Sequence, residues 1–353
     1  MKQSALSHSQ QRRKEGRTTQ EEMESQFSGE LCQSCDISEF KVIQKYYNKE
    51  QAAIKLLRRH GCLPVSCKCP KCDRELRYNG KERMWRCTGS KKIPGVKKRS
   101  FCGYKISDNT GTFLNRARIP AWKVVLFINS WIRKWYCVKV VQNNLNLAIQ
   151  TIIDWRSFCS EVTDNWLLTH LEPIGGPGII VEIDETVCVK RKYNRGRVLQ
   201  EIWIFGGIER ISKKYFIKIL LEEYNLADLT RDQLIARLPR DQATLVPIIQ
   251  QYIRPGSIIN SDGWGAYCGL GNVGYEHNVV IHERNFINPD DPNIHTQNIE
   301  RLWRDLKEWV TRSGMRAKFM RQYLSRWVFL RHRGHARCLH DFLIETAKLY
   351  AHK

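Results

Sequence analysis

Apolar positions recur at helical spacing in six stretches of the chain. In five others they alternate or run continuously over strand-like lengths. Residues 38–60 set Phe40, Ile43, Tyr47, Ile54 and Leu57 on one face, which predicts one or two helices with a basic end. Residues 122–135 read as one amphipathic helix. Val138–Leu145 and Ile149–Ser160 read as two shorter ones, joined by Asn146-Leu147-Ala148. After the Gly-rich turn at 175–178, residues 179–189 (IIVEIDETVCV), 199–209 and 214–223 are β-type runs, and Gly206-Gly207 predicts a bulge or strand end. Residues 230–253 read as helix broken at Pro239 and Pro247. Residues 257–262 and 277–282 are two further strands, and 298–312 is a strong helix. Three strands in succession predict a meander, and the later strand–helix alternation adds parallel strands. The expected class is α/β with a mixed sheet and flanking helices.

Charge and composition narrow the picture. The 353 residues carry 58 Lys+Arg against 36 Asp+Glu, a net charge of +22, which points to a polyanionic partner, most simply nucleic acid. Residues 68–118 hold 15 basic and 4 acidic residues, and residues 301–353 hold 13 and 4, so most of the excess lies in two segments. They read as anion-binding surfaces flanking a balanced central domain; solvated faces are the plainer alternative. A hydrophobic share of 42% excludes global disorder, although residues 1–36 are polar and read as a mobile tail. No apolar run reaches the roughly 18 residues of a membrane span. Residues 1–16 lack the apolar core of a secretory leader.

Thirteen cysteines, an odd number, without such a leader argue for thiols or metal ligands. Cys69-Pro-Lys-Cys72 is a CxxC pair, with Cys87 and Cys102 following at intervals of 15. Four thiolates suit one structural tetrahedral zinc in a ribbon too polar to hold together by itself. Cys67 competes with Cys69 as a ligand, and unrelated cysteines are the simpler alternative. The 14 residues between Cys87 and Cys102 are basic, and Lys97, Lys98 and Arg99 read as a DNA-facing loop. Cys32-Gln-Ser-Cys35 has no second pair nearby, and no site is expected there.

The short helix, tight turn and second helix at 138–160 have helix-turn-helix spacing. Gln150, Thr151, Asp154 and Arg156 would lie near the exposed start of a recognition helix; a structural bundle fits the pattern equally well. Trp131, Trp135 and Trp155 read as core. In the strand at 179–189, a period of two puts Glu182 and Asp184 on one face, which is costly in an Ile/Val run unless a cation or partner neutralises them. Asp262 ends another strand, where open sheets gather metal and phosphate sites. Glu300 lies early in the last helix, with Arg304 and Lys307 on nearly its own face. Two strand aspartates and a helix glutamate after a meander form the layout of an RNase H-like phosphotransferase. There, carboxylates hold two Mg²⁺ (or Mn²⁺) roughly 3.5–4 Å apart.

The motifs CPKC, SFCGYKISDNTGTF, VEIDETV, INSDGWGAY, IHTQNIERLWRDLK and QYLSRWVFLRH, from about Cys69 to His332, resemble those of DDE transposases. The similarity is to the eukaryotic Merlin superfamily and its bacterial insertion-sequence relatives. The resemblance implies a zinc ribbon, a helical DNA-binding region and an RNase H-like catalytic domain. It puts Asp184, Asp262 and Glu300 on the DDE positions, with His295, Asn298, Trp303 and Lys307 around the third acid. Some relatives carry Asn in that third position, so Asn298 rivals Glu300. It further implies double-stranded DNA as partner (element terminal inverted repeats and target DNA), an oligomer of at least two chains, and a nuclear location. The divisions expected are 1–36, 37–61, 62–114 (ribbon), 115–174 (helix-turn-helix-like), 175–335 (catalytic) and 336–353 (a C-terminal helix). A DNA-binding protein without catalysis, or a nuclease of the same fold without strand transfer, are the rival functions.

Overall fold

The computed structural model describes residues 32, 35, 37–92, 99–133, 137–189, 202–220, 240–280, 294–310 and 319–350. The expected tail lies almost wholly outside these residues, as do Lys97, Lys98 and Trp135. The chain divides into two compact units, residues 1–166 with 328–353, and residues 167–327.

The first unit begins with α1 (Glu39–Tyr46) and α2 (Glu50–Arg59), capped by Ser38 at the start of α1. A small ribbon follows: β1 (Arg77–Asn79), β2 (Met84–Arg86) and β5 (Lys105–Ser107) form a three-stranded sheet, and β3 (Ser90–Lys92) pairs with β4 (Arg99–Phe101). Its apolar core is little more than Cys69, Leu76, Trp85 and Cys87. Fully buried Asp108 anchors it, accepting from Tyr78 Oη (3.0 Å) and Arg83 Nε (3.3 Å), while Arg58 of α2 lies 3.7 Å away.

Next come α3 (Ala121–Ile132), α4 (Val138–Leu145) and α5 (Ile149–His170). Helix α3 is buried over most of its circumference, not amphipathic as expected. Its N-cap is Pro120, which offers no side-chain acceptor. The Glu50 carboxylate substitutes, accepting from the Ala121 and Trp122 N–H groups at 3.0 and 3.2 Å. Asn146 ends α4 in the left-handed conformation (φ 45°), which turns the chain sharply into α5. Helix α5 runs ten residues beyond the expected end at Ser160, because Val162, Thr163 and Trp166 continue the buried face. Trp131 and Trp155 are core, as expected.

The second unit is built on a five-stranded sheet ordered β12-β11-β7-β8-β9. Strands β7 (Ile180–Val189), β8 (Ile202–Glu209) and β9 (Tyr215–Ile219) form an antiparallel meander; β11 (Ile258–Asp262) lies parallel to β7, and β12 (Glu276–Val280) parallel to β11. Strand β7 is central and covered on both faces, which explains its near-continuous Ile/Val character. Val181 and Ile183 pack with Leu245, Ile248 and Ile249 of α6 (Gln242–Tyr252). Helix α6 starts at Asp241, whose carboxylate accepts from the Thr244 N–H, and it passes through Pro247 without the expected break. On the other face lies α7 (Gln297–Val310), which buries Ile299, Leu302, Trp303, Leu306 and Val310 at helical spacing. A short parallel pair, β6 (Ile174–Gly175) with β10 (Ile253–Arg254), completes the unit.

Gly206 and Gly207 lie inside β8, paired with Asp184 and Ile183, and form neither bulge nor strand end. Packing requires them: a Cβ on Gly206 would stand 2.7 Å from the Trp303 ring, and one on Gly207 2.7 Å from Phe216. The irregularity falls instead between Val187 and Val189. The expected boundary at 335/336 is absent, because one helix, α8, runs from Met320 to Leu349. Among the described residues no helix is long and apolar enough to cross a membrane.

Candidate active site and metal centres

Strand β11 stops beside the middle of β7. The parallel register pairs Ile258 with Ile180 and Asn260 with Glu182. Carried two residues on, it sets Asp262 beside Asp184 on the face that α7 covers. The Trp303 indole Nε1 donates to Asp184 Oδ2 at 3.0 Å, and the Trp264 N–H to Asp262 Oδ1 at 3.1 Å. Asp184 is largely buried. Burial first, then the charges of Glu185 and Asp262, push its carboxyl from the ordinary 3.8 up to about 7. Glu185 is raised as well, by burial first, with the Tyr267 hydroxyl opposing, Asp262 adding and Arg240 opposing. The three acids thus feel one another's charge, although their oxygens do not all lie within 4.8 Å of one another, and hard oxygen donors of that kind suit a divalent cation. Glu185 was not singled out from the sequence, because strict alternation turns it away from Asp184.

Glu182, on the same face as Asp184, has a different fate. It is fully buried and neutralised within the protein. Arg210 donates Nη2 to Oε1 at 3.0 Å and Nε at 3.1 Å, and the Asn298 side chain adds a bond of 2.7 Å. The backbone N–H groups of Asn298 and Ile299 reach Oε2 at 2.8 and 3.2 Å. A strand carboxylate therefore caps the first turn of α7, where the helix dipole favours negative charge. Asn298, a rival to Glu300 for the third catalytic position, is engaged in this cap; its Oδ1 also accepts from Lys213.

Glu300 lies exposed on α7, one turn before Trp303, and accepts from Thr296 Oγ1 at 3.1 Å. Among the described residues it is not gathered with the two aspartates into a set of ligand atoms within 4.8 Å of one another. Arg304 and Lys307 are exposed on the same helix, and the Lys307 charge reaches Cys188 farther along β7. His295 sits in the Glu182 network, its Nδ1 3.4 Å from Oε1 and its carbonyl accepting from Arg210. Burial and the Arg210 charge lower its basicity, which favours a neutral ring. Gln150 and Asp154 are exposed on the first turns of α5 and bond each other at 2.8 Å; Thr151 and Arg156 are half-buried beside them.

The raised Asp184 carboxyl has a measurable consequence. The folded protein keeps this proton between about pH 4 and 7, where the unfolded chain has lost it, so stability falls as pH rises through that window. Thermal melts without added divalent cation should show Tm dropping between about pH 4 and 7. Asp184→Asn should flatten the drop, and Mg²⁺ or Mn²⁺ should restore Tm at the upper end only. A cation effect equal at both ends would argue against a carboxylate site.

In the ribbon, the Sγ atoms of Cys69, Cys72, Cys87 and Cys102 all lie within 4.8 Å of one another, with Cys69–Cys102 at 3.5 Å and Cys72–Cys87 at 3.4 Å. Cys67 packs against the cluster but is outside the set. The long insert is the β3–β4 hairpin. It leaves after Cys87 and returns Cys102 beside Gly89, whose carbonyl accepts the Cys102 N–H at 2.8 Å. Gly89 leaves room for the sulfurs, since a Cβ there would sit 3.2 Å from both Cys72 and Cys87 sulfurs, tighter than an ordinary contact. Burial raises the Cys69 thiol, but the Lys71 N–H, Cys102 and the Cys72 N–H outweigh it and bring it down to about 7. Against the Gly89 N–H, burial and the hydrogen bonds with Cys72, Cys69 and Cys102 push the Cys87 thiol up to about 12, and the four sulfurs together form a set that could hold zinc.

The expectation for Cys32 and Cys35 needs correction. They are gathered with His60 and His340, again within 4.8 Å of one another. The partners are histidines 25 and 305 residues from Cys35, so no local spacing announces them.

Residues 179–331, from the approach to β7 into α8, match the family of ISXO2-like transposase domains. Most of the second unit is thus similar to transposase domains. Male abnormal protein mab-31 of Caenorhabditis elegans is 26% identical over 170 residues, 44% of this chain; the match spans 39% of that relative's length.

Proposed function

We propose that the chain is a DDE-type DNA transposase of cut-and-paste character, with an RNase H-like catalytic unit and affinity to the Merlin branch. The single observation that carries the reading is Asp262 brought beside the raised Asp184 by adjacent parallel strands, within a domain that matches transposases. The meander followed by two parallel strands supports the RNase H-like assignment.

Asp184 and Asp262 would hold the divalent cations, Mg²⁺ or Mn²⁺, with Glu300 entering from α7. Cations bound there supply activation of the attacking oxygen and stabilisation of the leaving one. The chain's own residues do the positioning. Trp303 fixes the Asp184 carboxylate by its indole N–H. Arg304 and Lys307 face outward beside Glu300 and would grip the phosphates flanking the scissile bond. Exposed Gln150 at the start of α5, with Arg156 and the basic ribbon hairpin, would hold the element ends. The four ribbon cysteines would carry a structural zinc. Two ends cut in concert require at least a dimer, and in a eukaryotic cell the work would be nuclear.

The direct test is incubation of the protein with candidate element ends, Mg²⁺ or Mn²⁺ and a target plasmid. Joined products are expected; cleavage without joining would indicate a nuclease, and binding without either a DNA-binding protein. A second test concerns Lys307. Lys307→Ala should slow cleavage and lower the salt slope of end binding by about one unit. Stability should move by less than about 0.5 kcal/mol. An unchanged slope with normal cleavage would reduce Lys307 to a solvated helix residue.

A further inference from the structure

The cluster of Cys32, Cys35, His60 and His340 belongs wholly to the first unit and shares no residue with the set of four ribbon cysteines. Cys35, His60 and His340 are almost completely buried. Cys35 Sγ lies 3.2 Å from His60 Nε2 and 3.7 Å from His340 Nδ1; Cys32 Sγ lies 3.8 Å from His60 Nε2; the two ring nitrogens are 3.1 Å apart. A tetrahedral zinc with ordinary Zn–S and Zn–N bonds spaces its ligands by about 3.6 Å for S···N and about 3.3 Å for N···N. The three S···N distances bracket the first value, and the N···N distance of 3.1 Å falls slightly short of the second.

The histidine orientation is a separate observation. At the end of α2, His60 Nδ1 lies 2.8 Å from the Leu56 carbonyl, which can only accept, so Nδ1 carries the proton. That leaves Nε2 a lone pair aimed into the cluster. Fixing one ring nitrogen on a carbonyl and presenting the other is how ligating histidines are held. Cys35 N–H bonds the Cys32 carbonyl at 3.2 Å, so the two sulfurs come from one tight turn.

We propose that Cys32, Cys35, His60 and His340 form a second, structural zinc site of the Cys₂His₂ type. All four positions are filled by protein, so the site is closed and serves architecture. Its ligands come from the segment before α1, from the end of α2 and from α8, with 305 residues between Cys35 and His340. A metal there pins the C-terminal helix segment of the unit to its N-terminal part and closes a very long loop.

Metal analysis of the full-length protein should find two zinc equivalents per chain. His340→Ala or Cys35→Ser should leave one, and Cys69→Ser should leave the other. Zinc X-ray absorption on the unaltered protein needs no variant: two sites together give an average shell of three sulfurs to one nitrogen, and the ribbon site alone gives four sulfurs. One equivalent with an all-sulfur shell would overturn the proposal, as would a Cys32–Cys35 disulfide found by mass spectrometry. One equivalent with a two-sulfur, two-nitrogen shell would uphold it and remove zinc from the ribbon instead.

Discussion

Asp184→Asn is expected to reduce DNA strand cleavage about a thousandfold or more, while binding of element ends stays within about twofold. The amide preserves shape and can still meet the Trp303 indole through its oxygen. It removes the charge that makes this place attractive to a divalent cation. It also relieves the mutual repulsion of Asp184, Glu185 and Asp262 that, after burial, pushes the Asp184 carboxyl to about 7, so the variant should be no less stable than the parent. Loss of activity with unimpaired folding is therefore the signature of a ligand. Asp262→Asn should behave alike. The third acid is decided by a pair of variants. Glu300→Gln should also lose cleavage if the helix acid completes the set, and Glu185→Gln should lose it if the acid that already feels the aspartates' charge does. An Asp184→Asn protein that cuts at near-normal rate would remove the carboxylate reading altogether.

How much of this was legible in the sequence differs from residue to residue. Asp184 and Asp262 stand out because an acid in an Ile/Val strand, or at its end, demands an explanation. The ribbon cysteines stand out because CxxC is a local signature. Glu182 was placed on the correct face, but its partner was not foreseen. Arg210 sits in the β8–β9 turn, where no periodicity marks a residue as buried. His340 was invisible for a related reason: one histidine on a long helix carries no signal until the fold brings Cys35 to it. Charge runs mark anion-binding surfaces only coarsely. Lys97 and Lys98 lie outside the described residues, and His295, placed around the third acid by the resemblance, is drawn into the Glu182 network.

The fold followed the same division. The five sheet strands and α7 were legible because burial on two faces or one face imposes a continuous or a 3.6-residue pattern. The three-residue ribbon strands are too short to carry a period, and turns and sulfurs decide their shape. Pro247 misled because proline is costly inside a helix. Yet α6 is buried against the sheet through Leu245, Ile248 and Ile249, and tertiary packing outweighs the lost hydrogen bond. Helix α8 runs without a break through the division expected at 335/336.

Glu182→Ala should destabilise the second unit by about 3–5 kcal/mol, the usual cost of breaking a buried ion pair from one side. The carboxylate receives Arg210, the Asn298 amide and two backbone N–H groups of α7, and no water can replace it, since its side chain is wholly enclosed. Its removal strands the Arg210 charge and uncaps the helix that carries Glu300, Trp303 and Lys307. Misplacement of α7 would disturb Trp303 over Asp184, so cleavage should fall together with stability. That separates Glu182 from Asp184, whose amide variant should lose cleavage alone. Arg210→Met should cost a comparable amount by leaving Glu182 charged and buried. The double change Glu182→Leu with Arg210→Met should recover part of the loss, because no unpaired charge then remains. Denaturant unfolding of the three variants measures the coupling directly. Single variants within about 0.5 kcal/mol of the parent would mean that α7 is held by its apolar face, with the ion pair contributing little.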